Sequence, residues 1–326
     1  MKTQAIQIFN TGGPEVMRMG EVEVGEPGPG QVLIRHTAIG LNYIDTYFRS
    51  GLYPPPSTPF TPGMEAAGVV EAVGPGVKGL RKGSRVAYAS GPVGAYSQAR
   101  LMAANRLVAL PKEISDEQAA AMMLKGMTAE YLLRRTYKVK AGDTILFHAA
   151  AGGVGLIACQ WAKALGATVI GTVGSDEKAA LARAHGCHHP VVYTREDFVA
   201  RVKQLTNGEG VPVVYDSVGR DTFMKSIDCL RPMGLLACFG QSSGKVPDFD
   251  LGVLAAKGSL FLTRPSLVNY TAKRADLEAS AKALFKVVRE GKVKIEINHR
   301  YPLRDAVQAH SDLEGRKTTG STVLLP

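Results

Sequence analysis

The chain has 326 residues, of which 45% are hydrophobic and 21% charged, a composition that excludes a disordered or fibrous protein and suits a globular enzyme of two domains. No apolar run approaches the roughly 20 residues of a bilayer span, so no membrane helix is expected. The net charge of +10 attracts anions in general, but Lys and Arg are scattered among acids, which predicts a solvated basic surface with no concentrated nucleic-acid tract. The alternating N-terminus, Met1 to Phe9, lacks the apolar block of a secretory signal, and cytoplasmic location is the expectation. Cys159, Cys187, Cys229 and Cys238 lie far apart with no C-x-x-C pair. They predict small buried thiols in a reducing compartment, not a disulfide framework or a structural zinc lobe.

Residues 1–124 are β-rich and heavily punctuated, with strands expected at 3–9, 31–41, 66–73 and 84–88 and a short helix at 43–49. Tyr53-Pro54-Pro55-Pro56, followed by Pro59 and Pro62, cannot continue a sheet ladder and predicts an extended surface loop. Ser115-Asp116-Glu117-Gln118 opens a helix with acceptors and acids at its positive end. From 125 to 264 the pattern becomes strand–helix alternation. Strands are expected at 144–148, 168–173, 190–193, 213–218, 234–239 and 260–263, and helices at 154–165, 177–185, 196–205 and 221–230. Six such strands predict an α/β, doubly wound parallel sheet of the Rossmann dinucleotide-binding type. Residues 265–326 read helix (271–290), strand (294–301), helix (303–313) and strand (321–325), which breaks the alternation. This segment is expected to return and complete the first domain, leaving the Rossmann domain inserted in it.

The most informative stretch is His148-Ala149-Ala150-Ala151-Gly152-Gly153-Val154-Gly155, between an apolar run and a helical one. Strand, glycine turn and helix present unpaired backbone N–H groups and a positive helix end to a pyrophosphate. Against G-x-G-x-x-G the chain has Ala150, Gly152 and Gly155; a Cβ at Gly152 would obstruct the phosphate, and one at Gly155 would hold helix and strand apart. An acid at the tip of the second strand selects NAD through the ribose 2′-OH. Here that strand ends Thr172-Val173-Gly174-Ser175 with no carboxylate, Asp176 and Glu177 start the next helix, and Lys178 follows within reach of a 2′-phosphate. The expected cofactor is therefore NADPH.

The span Gly142-Asp143 to Lys163 around this turn resembles the signature of the zinc-independent quinone oxidoreductases, the zeta-crystallin-like group of the medium-chain dehydrogenase/reductase superfamily. So do Ala38-Ile39-Gly40-Leu41-Asn42-Tyr43-Ile44-Asp45-Thr46-Tyr47, Gly51-Leu52-Tyr53-Pro54-Pro55-Pro56, Val214-Tyr215-Asp216-Ser217-Val218-Gly219-Arg220-Asp221 and Thr263-Arg264-Pro265-Ser266. The resemblance runs the length of the chain. It implies a GroES-like catalytic domain built from both chain ends (1–124 and 265–326), a central NADPH-binding domain (125–264), and a homodimer. It also implies that Asn42 and Tyr47 line the cleft beside the nicotinamide and orient a quinone, with Tyr53 and Arg264 as further substrate contacts. Cofactor contacts carried over in this way are Tyr43, Ile44, Thr46 and Thr128 near the nicotinamide, and Gly152, Gly153, Val154 and Gly155 at the pyrophosphate. Gly174, Ser175, Lys178, Tyr193 and Arg316 are expected around the adenosine phosphate, with Ser217 and Val218 after the fourth strand and Phe239, Gly240, Ser242 and Ser243 after the fifth. Lys125 is expected near the nicotinamide, or in a hinge or salt bridge.

Zinc-dependent members of the superfamily carry Cys where this chain has Asn42 and His where it has Met64. An amide and a thioether do not replace thiolate and imidazole at a catalytic zinc, and adjacent residues of Cys187-His188-His189 face opposite ways on a strand, so no metal is expected. Without a Lewis acid to hold an alkoxide, the predicted chemistry is reduction of an electrophilic quinone. Reduction of the C=C bond of an enone or alkenal is the alternative, with Tyr47 or Tyr53 as proton donor. An RNA-binding or structural role, known among zeta-crystallin-like proteins, lacks any RNA-binding motif here.

Overall fold

Between residues 128 and 269 the strand–helix alternation builds one parallel sheet in the computed structural model, which describes residues 1–326. Its strands are β8 (Thr144–Phe147), β9 (Thr168–Val173), β10 (His189–Val192), β11 (Val211–Asp216), β12 (Leu230–Cys238) and β13 (Phe261–Thr263), counted after the seven that precede them in the chain. They lie in the order β10-β9-β8-β11-β12-β13, every pair parallel. This is the doubly wound arrangement, and the order reverses between β8 and β11, where strand C-terminal ends open a ligand crevice. Helices α3 (Gly153–Ala164), α4 (Asp176–Ala184), α5 (Phe198–Leu205) and α6 (Phe223–Asp228) connect the strands. Every residue of β11 is buried, as expected of a strand covered on both faces. Leu146, Ile170, Val191, Val214 and Leu236 form the buried centre, one from each of five strands.

Residues Met1–Met127, Tyr270–Phe285 and Ile295–Pro326 form the other unit, and Thr128–Asn269 with Lys286–Lys294 form the sheet-bearing one. The first contains β1 (Lys2–Ile8), β2 (Met17–Glu23), β3 (Gln31–Leu41), α1 (Tyr43–Ser50), β4 (Glu65–Val73), β5 (Arg85–Ala89), β6 (Ala99–Ala103), β7 (Val108–Ala109) and most of α2 (Asp116–Tyr131). After the short α7 (Gly252–Ala256) and α8 (Leu267–Tyr270), the chain continues through α9 (Arg274–Arg289), β14 (Ile297–Pro302), α10 (Ala306–Glu314) and β15 (Ser321–Leu325). The long strand β3 is the hub of a sheet ordered β14-β15-β3-β4-β5-β7, with β6 also paired to β3. The antiparallel ladder Thr322↔Leu41 to Leu324↔Ile39 is what returns the C-terminal segment to the first domain. No helix is long and apolar enough to cross a membrane.

The departures from expectation have physical causes. β2 was not expected, because only Met17 of its seven residues is buried and its apolar alternation is weak; the full ladder with β1, Lys2↔Glu23 to Ile8↔Met17, makes it a strand. The expected changes of domain at 124 and 264 fall instead after Met127, inside α2, and after Asn269, and α9 also changes unit within its length. A helix running through a boundary carries no turn signal to mark it. β14 begins three residues late, since Lys294 exchanges backbone hydrogen bonds with the side chain of Gln160 on α3. His148 lies beyond the end of β8, and Ala149 adopts a left-handed φ of 54°.

Gly40 on β3 tests the packing of the first unit. A Cβ there would stand 2.2 Å from the Ala120 carbonyl oxygen and 2.4 Å from Glu65 Oε2. Gly40→Ala is expected to lower the thermal midpoint by roughly 2–10 °C, the effect of about 1–3 kcal/mol of overpacking, measurable by circular dichroism.

Candidate active site

In the sheet-bearing unit the site is built at the reversal of strand order. The His148 N–H donates to Tyr215 O on β11 (3.0 Å) and the Ala150 N–H to Thr172 O on β9 (3.0 Å), so the turn is strung between the two strands flanking β8. Helix α3 then starts at Gly153 with no side-chain cap on its first N–H groups. Uncapped donors and the positive end of a twelve-residue helix suit a pyrophosphate. A Cβ at Gly155 would stand 2.3 Å from Ala149 O and 2.7 Å from the Ala150 backbone, whereas one at Gly152 meets only Ala149 O at 3.2 Å. Gly155 therefore sets how closely the helix approaches the turn, and Gly152 leaves the cradle open to a ligand.

Gly174, Ser175, Lys178 and Tyr193 come together at the tip of β9. The Ser175 hydroxyl caps α4 by accepting the Lys178 N–H (3.3 Å), and a Cβ at Gly174 would lie 3.1 Å from the Tyr193 hydroxyl. Asp176 is turned to Arg195, which donates two hydrogen bonds to it (2.7 and 2.5 Å) and holds its carboxyl below the usual range. Sequence reasoning passed over Arg195; its only signal is its position two residues beyond Tyr193. The loops after β11 and β12 are zipped together: the Ser242 N–H donates to Ser217 O (3.1 Å), and the Ser243 N–H and hydroxyl to Val218 O (2.9 and 2.8 Å). A Cβ at Gly240 would meet Ser217 O at 2.5 Å, and Phe239 N–H bonds Asp216 O (2.8 Å). Arg264, expected at the substrate, donates through Nη1 to Cys238 O (2.7 Å) and Gly240 O (3.0 Å), and so holds the loop after β12. Thr128 is buried on α2.

In the other unit, α1 carries Tyr47, with Asn42 just before it and Tyr53 just after it. Asn42 donates through Nδ2 to Glu65 Oε2 (2.7 Å) and more weakly to Gly40 O (3.4 Å), and its backbone N–H goes to Asp45 Oδ2 (2.9 Å). Glu65 also accepts the Leu124 N–H (2.6 Å) and lies 3.5 Å from the Lys125 ammonium, which donates to Leu41 O (3.0 Å). Burial pushes the Glu65 carboxyl up, and Lys125 is the largest of the groups opposing that shift. The salt-bridge role anticipated for Lys125 is thus present, and Glu65 is its partner. Tyr47 is buried against Tyr43 and Tyr53, ring centroids 6.3 and 5.2 Å away. Thr46 donates to Tyr43 O (2.7 Å), the Tyr43 hydroxyl donates to Leu313 O on α10 (3.2 Å), and Ile44 is half-buried on the same helix. Arg316 follows α10 with φ 58°.

Two family models match the chain, one described as the alcohol dehydrogenase GroES-like domain over residues 28–139 and one as zinc-binding dehydrogenase over residues 153–283. A quinone oxidoreductase of Pseudomonas aeruginosa is 55% identical over 98% of this chain and 99% of its own. The solved structure of Escherichia coli quinone oxidoreductase complexed with NADPH superposes with a TM-score of 0.98 at 50% identity, covering 99% of this chain and all of that one. A 2-haloacrylate reductase of a Burkholderia species is 50% identical over 99% of this chain and 98% of its own.

The chain belongs to the quinone oxidoreductase family of the medium-chain dehydrogenase/reductase superfamily.

The metal named in the second family description does not fit the residues present. Both amide protons of Asn42 are directed at Glu65 and Gly40, Met64 offers a buried thioether, and no group of three His, Cys, Asp or Glu side chains is placed to hold an ion.

Asp45 gives the unit that contains α1 a titration. Burial raises its carboxyl from 3.8 to about 7, with the Asn42 N–H, the Tyr96 hydroxyl (3.1 Å) and Lys125 opposing the shift. The folded form binds this proton more tightly than the unfolded chain, so the contribution to stability is full below about pH 4 and is lost as pH rises through 7. Asp45→Asn is expected to flatten the fall in urea-unfolding free energy across that window by an amount on the order of 3 kcal/mol.

Proposed function

We infer that the protein is an NADPH-dependent quinone reductase that works without a metal. The observation that carries this is the tip of β9, where Ser175 and Lys178 stand and Asp176 is tied to Arg195, in a chain 55% identical to a quinone oxidoreductase over nearly its whole length. Bound NADPH supplies a hydride. The protein's own residues bind and orient: the uncapped start of α3 and Gly152–Gly155 hold the pyrophosphate, and Lys178 with Ser175 and Tyr193 receives the 2′-phosphate. Asn42, fixed by Glu65 and Asp45, and Tyr47, packed between Tyr43 and Tyr53, orient the flat quinone. A quinone becomes aromatic on reduction and needs little acid–base assistance, so what the reaction asks of these side chains is mainly orientation.

The 2-haloacrylate reductase supports a second reading, reduction of an activated C=C bond with the same cofactor. Benzoquinone and 2-chloroacrylate assayed side by side with NADPH separate the two; a clear preference for the acrylate would overturn the quinone assignment and leave the cofactor in place. Lys178→Ala is expected to raise the KM for NADPH about tenfold or more, the loss of one charge-assisted hydrogen bond, while leaving the KM for NADH unchanged. An equal effect on both cofactors would remove Lys178 from the 2′-phosphate site.

A homodimer fits the edge of the six-stranded sheet. β13 pairs only with β12, its Phe261 is 61% exposed, and Met233 on β12 and Leu251 beside α7 are exposed as well. An apolar edge strand of this kind is suited to pairing with a second copy. Light scattering is expected to give twice the 34.7 kDa chain mass, and Phe261→Glu to shift it toward the monomer. Four buried free thiols support a reducing, cytoplasmic location.

A further inference from the structure

The cofactor-binding turn is preceded by a histidine that the reaction does not use. His148 is fully buried in the sheet-bearing unit, with its ring edge-on to Phe198 at 5.0 Å between centroids. Its two nitrogens each meet a hydroxyl, Nδ1 that of Thr172 on β9 (2.8 Å) and Nε2 that of Ser226 on α6 (2.9 Å).

The proton positions follow from Asp216, at the buried end of β11. Its carboxylate accepts from the Val218 N–H (2.8 Å), the Gly219 N–H (3.0 Å), the Thr222 hydroxyl (2.7 Å) and the Ser226 hydroxyl (2.8 Å). Ser226 has one proton and gives it to Asp216, so toward His148 its oxygen accepts. Nε2 therefore carries the ring proton, and Nδ1 accepts from the Thr172 hydroxyl. Burial holds the imidazole neutral by pushing its pKa down, against the pull of Asp216. The result is a one-way chain, Thr172 to His148 to Ser226 to Asp216, in which every donor and acceptor of the ring is engaged.

This chain joins the two loops that form the cofactor crevice. Upstream, the Thr172 carbonyl accepts the Ala150 N–H and the Tyr215 carbonyl accepts the His148 N–H, so the backbone of the glycine turn hangs on β9 and β11, and the ring adds a second link to β9 through the Thr172 hydroxyl. Downstream, Asp216 holds the N–H groups of Val218 and Gly219, and that loop in turn holds Ser242 and Ser243. We propose that His148 is a positioning residue for NADPH, setting the pyrophosphate turn and the loop at Ser217–Gly219 in register through this hydrogen-bond chain. The proposal rests on the NADPH reading above.

The test uses the full-length protein and its NADPH dissociation constant, followed by NADPH fluorescence without quinone, beside kcat with benzoquinone at saturating NADPH. His148→Leu is expected to weaken NADPH binding by roughly tenfold or more, as for a lost buried hydrogen-bond partner, with kcat within about threefold of wild type. His148→Gln, whose amide offers both a donor and an acceptor, is expected to recover most of the affinity. Thr172→Val and Ser226→Ala, which delete single links, are expected to weaken binding several-fold and keep the test open if His148→Leu does not fold. Unchanged NADPH affinity in a folded His148→Leu, or in both link variants, would overturn the proposal, as would equal losses in the Leu and Gln variants. Failure of the wild type to bind NADPH would instead overturn the cofactor reading and take the proposal with it.

Discussion

A side chain at Gly155 would collide with Ala149 O at 2.3 Å and with the backbone of Ala150, so α3 begins where it does only because that position has no Cβ. The close approach places the free N–H groups of the helix directly over the end of β8, at the point where strand order reverses. The rest of the sheet-bearing unit follows from it. β9 and β11 hold the turn through the carbonyls of Thr172 and Tyr215, and the β9 tip and the β11 and β12 loops extend the same rim. One steric constraint thereby fixes how closely the uncapped start of α3 approaches the turn between β9 and β11.

The other unit is organised by a charge, not by a gap. The buried carboxylate of Glu65 collects the Leu124 N–H, the Asn42 amide and the Lys125 ammonium, and so links β4, α2 and the segment leading into α1. Burying an ion pair costs desolvation that a hydrophobic pair of equal volume avoids, so its value here is in orientation more than in stability. Asn42 is held through both its amide and its backbone N–H, and α1 is bound to α10 through Tyr43 and by the bidentate Arg49–Glu314 pair (2.8 Å for both bonds). Residues brought from more than 250 positions away thus steady the helix that carries Tyr47.

Much of this was legible in the chain because its causes are local. Strand–turn–helix periodicity predicts all six strands of the Rossmann sheet, and the lack of a carboxylate at Gly174-Ser175, the tip of the second strand, points to NADPH. Glu65, Arg195 and the link between His148 and Asp216 were not legible. Each depends on a partner 19 to 78 positions away, and no short-range pattern encodes the pairing. Arg264 gains a role that the resemblance did not carry: its Nη1 donates to the carbonyls of Cys238 and Gly240 and so holds the loop after β12.

Sequence alone was enough for the class of cofactor, the six strands of the parallel sheet and the amide and thioether at Asn42 and Met64, since each depends on residue type or on a short-range period. Tertiary contact was needed to show which of those residues act together. It took folding to bring Glu65 to Asn42 and Lys125, to mask Asp176 with Arg195, and to leave the Asp45 carboxyl buried with a pKa near 7. Side-chain identity determines what a group can do, while burial and the nearest partner determine whether it is charged, oriented and within reach.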